Sequence, residues 1–102
     1  MGVDVTLEDE NGDVLEKLED SGNCLAKLKA HVVTGCSRYL AYIDEYGDTT
    51  FNHLQVPQLL EELMEIPKDA LDAQARQFLE QLSGLAEKCV PEVHTYLKFC
   101  GD

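Results

Sequence analysis

Between Asp69 and Cys89 the apolar residues Leu71, Ala75, Phe78, Leu79, Leu82, Leu85, Ala86 and Cys89 recur every three or four positions. At 3.6 residues per turn this spacing keeps them on one side of a helix for about five turns. Residues 69–89 are therefore expected to form an amphipathic helix that needs an apolar surface to lie on. Asp69 stands where a capping carboxylate would accept the first free N–H groups, and Pro91 ends the run because it has no N–H to donate. Immediately beyond it, Val93, Thr95, Leu97 and Phe99 alternate with His94, Tyr96 and Lys98, the period of a strand with one apolar face. A long one-sided helix followed by a one-sided strand points to a layered fold, with helices on one face of a sheet.

The rest of the chain supplies the sheet. Val3, Val5 and Leu7 alternate with Asp4, Thr6 and Glu8, and Asn11-Gly12 follows within an acidic run, a strong signal for a tight turn. With a returning strand over 14–19, a first hairpin is expected at 3–19. Asp20-Ser21-Gly22-Asn23 reads as a loop leading into a short helix over 24–30, where Leu25 and Leu28 fall at helical spacing. After Thr34-Gly35, the aromatic and branched residues from Arg38 to Ile43 suit a pleated surface. Residues 49–54 then return across a loop containing Gly47, giving a second expected hairpin at 38–55. Pro57 opens a helix carrying Leu59, Leu60, Leu63 and Met64, and Ile66-Pro67 closes it. The expected class is α+β: an antiparallel sheet of four to five strands, two hairpins plus a C-terminal strand, with two main helices packed on one face. A length of 102 residues suits a single domain over 1–102.

Charge narrows the function. Twenty Asp and Glu against eight Lys and Arg give a formal net charge of −12, which repels phosphate backbones and anionic headgroups. Direct nucleic-acid and membrane binding are not expected. Met1-Gly2-Val3-Asp4-Val5 has neither a basic n-region nor an apolar h-region, so the expected compartment is the cytoplasm. Cys24, Cys36, Cys89 and Cys100 are too far apart in sequence for a C-x₂₋₄-C metal pair. They are expected to be reduced and mostly buried, with Cys100 the most accessible, and no metal or other cofactor is implied.

Several residue groups could carry chemistry or binding. Asp9, Asn11, Asp13 and Asp20 imitate a calcium loop, but Val14 occupies the position where the bend of such a loop requires Gly. Asp44, Glu45 and Asp48 bracket Tyr46-Gly47; in a solvated loop, Asp44 and Asp48 are expected to bind backbone N–H groups. His31 is expected at the end of the short helix. If the helices cover Val93, Thr95, Leu97 and Phe99, then His94, Tyr96 and Lys98 emerge on the opposite face, with His53, Asn52 and Arg38 near them. Cys36 with His94, or Cys89 with His53, could pair on paper, yet no nucleophile elbow or Gly-rich phosphate cradle accompanies them. A non-catalytic protein is therefore expected.

In size and acidity the chain resembles bacterial immunity proteins and other small acidic inhibitors. That resemblance implies a basic protein partner, such as a toxin or nuclease. The expected contact residues are the acids of the two turns, Asp9, Glu10, Asp13, Asp44, Glu45 and Asp48, acting with Tyr46, His94 and Tyr96. The alternative is a structural subunit or homodimer that covers the open sheet face with a copy of itself.

Overall fold

Four strands form one antiparallel sheet in a computed structural model that describes residues 3–20, 24–30, 39–44 and 46–101. They are β1 (Asp4–Asp9), β2 (Val14–Leu18), β3 (Asp48–Asn52) and β4 (Thr95–Cys100), in the spatial order β2-β1-β4-β3. The first hairpin is present as expected, with Gly12 at φ 85° in its turn, a conformation open to glycine without steric cost. A bulge between Leu7 and Glu8 in the β1–β2 register marks the turn end of that hairpin. Alternation sorts the faces. Val5, Leu7, Phe51, Leu97 and Phe99 are buried on the helix side, while Thr6, Glu8, Thr50, Tyr96 and Lys98 lie on the other face.

The helices are α1 (Cys24–Lys29), α2 (Tyr39–Tyr42), α3 (Val56–Met64) and α4 (Ala73–Cys89). The long stripe behaves as its period requires, since Ala75, Phe78, Leu79, Leu82, Leu85, Ala86 and Cys89 are all buried. Helix α4 lies against the sheet and is flanked by α1 and α3. Its start differs from the expectation at Asp69: residues Lys68–Ala70 form a 3₁₀ turn after Pro67, and Asp72 is the cap, its carboxylate accepting the Ala75 N–H at 2.7 Å. Lys27 Nζ reaches the same carboxylate at 2.8 Å and ties α1 to the cap. Within the sheet, Phe51 of β3 packs edge-on against Phe99 of β4, with ring centroids 5.8 Å apart.

The second hairpin is corrected. Residues 39–42 form one helical turn, not a strand, and β3 takes β4 as its partner. The buried Glu62 carboxylate of α3 accepts the N–H groups of Tyr39 and Leu40, which removes two donors that a sheet ladder would have used. The composition that suggested a strand reflects burial, since Leu40 and Ile43 are both core residues. Strand β3 also stops early: the Asn52 side chain accepts the N–H groups of Leu54 and Gln55, which puts His53 and Leu54 in a turn. Val93 and His94 likewise precede β4 in a turn, and Val93 is exposed, not covered. The readings placed on His31, Thr34-Gly35, Cys36, Arg38 and Glu45 lie outside the described residues. No described helix is long and apolar enough to cross a membrane.

Candidate functional site

The acidic turn of the first hairpin is built around one of its own carboxylates. Asp9 Oδ1 accepts the N–H groups of Asn11 at 2.9 Å and Asp13 at 3.0 Å. Asp9 therefore shapes the turn, while Glu10 and Asp13 remain in water beside it. Glu10 Oε2 lies 3.0 Å from Nδ1 of His94, an attraction that reaches full strength when the imidazole is protonated. Across the outer face one register row reads Val14, Glu8, Tyr96, Asn52, so Tyr96 stands beside a carboxylate and in line with an exposed valine. Leu15 and Val93 are exposed at the same end, and Leu15 lines a hollow of about 510 Å³ with Leu7, Lys88, Pro91, Glu92 and Thr95.

The second acidic loop is elsewhere. Asp44 Oδ1 accepts the Tyr46 N–H at 2.8 Å, as an Asx turn should, whereas Asp48 pairs with Lys98 at 3.7 Å and accepts no backbone N–H among the described residues. A Cβ on Gly47 would come within 2.8 Å of Asp44 Oδ2, so a side chain there would displace the Asp44 carboxylate from its place in the loop. Tyr46 is 79% exposed. Because Asp48 stands level with Cys100 and Asp4, while Asp9 stands level with Thr95, the two acidic turns occupy opposite ends of the sheet. Five strand steps separate those ends, about 17 Å. Asp9, Glu10, Asp13, His94 and Tyr96 form one group; Asp44, Tyr46 and Asp48 form another.

Between these ends the outer face compensates its own charges. Lys17 lies 3.7 Å from Asp4 and 3.6 Å from Glu19, Lys98 lies near Asp48, and the Thr6 hydroxyl donates to Glu8 at 2.6 Å. His53 does not join this face as a strand residue; both its ring nitrogens are buried without a hydrogen-bond partner among the described residues.

Two buried carboxylates hold backbone N–H groups: Asp20, which the sequence placed in a loop leading into a short helix, and Glu62, which was not singled out from sequence. Asp20 accepts the N–H groups of Cys24 at 2.6 Å and Leu25 at 2.9 Å, and so holds the start of α1. Its position ahead of a short helix was the available signal. Asp20 and Asp9 are thus each occupied by backbone donors of different elements and do not converge as a calcium loop would require. Glu62 had a subtler signal, an acid three residues after Leu59 and one before Leu63, on the buried stripe of its helix.

The described cysteines are free thiols: Cys24 and Cys89 are buried, Cys100 half-buried. Burial pushes all three above the ordinary thiol range; the nearby Asp20 charge adds to this at Cys24, the Thr95 hydroxyl partly offsets it at Cys89, and Lys98 partly offsets it at Cys100. They stay protonated at neutral pH and are poor nucleophiles. Native protein at pH 7.5 is expected to react with a thiol-specific disulfide reagent at least about tenfold more slowly at Cys24 and Cys89 than the same sites do in urea, with Cys100 the first of these three to react. The sign for stability follows: a raised folded pKa favours the native state below the ordinary thiol pKa of about 8.5, and that contribution is lost as pH rises through the folded value. Equal labelling rates for native and unfolded protein would contradict this account of the thiols.

Compared with protein-family models, with curated proteins and with solved structures, the chain matches none of them.

Proposed function

We propose that the chain is a non-catalytic, acidic protein-binding domain that captures a basic protein, most concretely an immunity or inhibitor protein acting on a toxin or nuclease in the cytoplasm. The observation that carries this reading is the turn end of the first hairpin, where Glu8, Glu10 and Asp13 stand beside the exposed side chains of Val14, Leu15 and Val93. Carboxylates in water steer a cationic partner and set its orientation, whereas apolar and aromatic side chains supply the area that holds it. A net charge of −12 extends the steering over the whole molecule. Protonated thiols at Cys24, Cys89 and Cys100 fit a binding role better than covalent catalysis, and free cysteines suit a reducing compartment. The competing reading, a copy of the same chain over the outer sheet face, fits less well: Thr6, Glu8, Lys17, Thr50 and Lys98 offer that interface little apolar core.

The test is capture from the source cell on immobilised protein at low salt, elution by salt, and kinetics with the purified partner. A basic partner is expected. Glu10→Gln with Asp13→Asn should slow association by about tenfold at low salt and flatten its salt dependence, while Tyr96→Ala should mainly speed dissociation. Failure to retain any basic protein, or unchanged on-rates in the charge variants, overturns the reading. A mass of two protomers at every salt concentration would favour the homodimer instead.

A further inference from the structure

We propose that the free edge of β2 binds an extended, lysine- or arginine-bearing segment of the partner, which adds to the sheet as a fifth strand. This deepens the basic-partner reading and rests on it for the sign of the partner's charge. Strand β2 is at the margin of the sheet and pairs with β1 alone. Val14, Leu15, Glu16 and Lys17 are exposed and Leu18 is only half-buried, so no described element lies over the strand. An edge of this kind presents N–H and C=O groups at alternate residues without partners, which is the template that an added strand completes.

Beside the β2 edge runs a furrow against α4. It consists of three hollows of about 230, 280 and 510 Å³, the first two sharing Gln81 and the last two sharing Glu16 and Lys88. Glu16 and Lys88 bridge it through an ion pair at 2.7 Å. A strand laid along β2 would send alternate side chains into this furrow and the others out beside Lys17 on the open face.

Charge selects the occupant. The strand itself carries only Glu16, paired with Lys88, and Lys17, but it is acidic at both ends, with Glu8, Glu10 and Asp13 at the turn end and Glu19 just beyond Leu18, so an incoming strand with basic side chains is attracted at its two ends. A second copy pairing edge to edge would bring two such sets of acidic ends together, which like charges oppose.

The probe is a capped octapeptide, Lys-Val-Lys-Thr-Lys-Val-Lys-Thr, titrated at low salt into the isotopically labelled full chain and followed by amide NMR shifts. Controls replace each Lys by Glu, or N-methylate alternate backbone nitrogens while keeping every charge. Shifts are expected to centre on Val14–Leu18 and the facing residues Gln81 and Lys88. The Glu peptide should not bind, and N-methylation should weaken binding by about tenfold or more through the lost strand hydrogen bonds. If the N-methylated peptide binds equally well, or the shifts centre on His94 and the acidic turns, the peptide is held by charge alone. Strand addition is then wrong while the basic-partner reading stands. No binding of the lysine peptide at millimolar concentration also rules out strand addition, and capture of the whole partner protein then decides the broader reading independently.

Discussion

Leu82→Ala is expected to cost about 2–5 kcal/mol of folding stability, the range for deleting a leucine side chain from a closed core. Leu82 is fully buried near the middle of α4, between Leu79 and the pair Leu85 and Ala86, on the stripe that faces the sheet. Its neighbours belong to a helix of 17 residues held against strands, which cannot collapse into the space without moving several other side chains. For a domain whose total stability is of the order of 5–15 kcal/mol, such a loss is a large part of the whole. Urea unfolding of the variant measures it directly, and Gln81→Ala, one residue away on the exposed side, should stay within about 0.5 kcal/mol of the parent. A Leu82→Ala loss below about 0.5 kcal/mol would mean that α4 is not packed on the sheet as described.

That stripe also explains what could be read from sequence. Burial along α4, β1 and β4 is one-sided, so their periods survive in the residue order, and the Asn11-Gly12 turn declares its own backbone requirement. The errors lie where a distant group decides. Residues 39–42 carry strand-like side chains, yet their conformation is set by Glu62, some twenty positions later. Asp69 and Asp72 are equally plausible caps in isolation; the 3₁₀ turn after Pro67 absorbs the first and leaves the Ala75 N–H to the second. The candidate site was legible as residue types and not as a group. Pairing of β3 with β4, instead of with its neighbour in sequence, puts the acidic loop at 44–48 at the far end of the sheet from Glu10 and Asp13.

Because Glu62 decides one of those elements, its removal should be the most costly polar substitution. The residue is 5% exposed, and its carboxylate accepts the Tyr39 N–H at 3.1 and 3.2 Å, the Leu40 N–H at 3.0 Å and an N–H of the Gln58 side-chain amide at 3.3 Å. Glu62→Ala leaves the two backbone donors without that acceptor in a site poor in water, and a hydrogen bond to a charged group contributes about 1.5–3 kcal/mol. A loss of about 2–4 kcal/mol is expected, less than the bare sum because neighbouring groups and water can partly replace the carboxylate. Glu62→Gln should fall between the two, since its amide keeps one acceptor oxygen but turns a donor toward other donors. Glu61→Ala, one position away and exposed, should change stability by less than about 0.5 kcal/mol. Amide exchange supplies a local readout that stability alone does not: the Tyr39 and Leu40 N–H groups should exchange faster in Glu62→Ala, and the Tyr39 ring, now 5.5 Å from that of Phe51, should lose its fixed packing. Unchanged exchange at Leu40 together with parental stability would show that the 39–42 turn is held by its buried side chains, Leu40 and the adjoining Ile43, and not by the carboxylate.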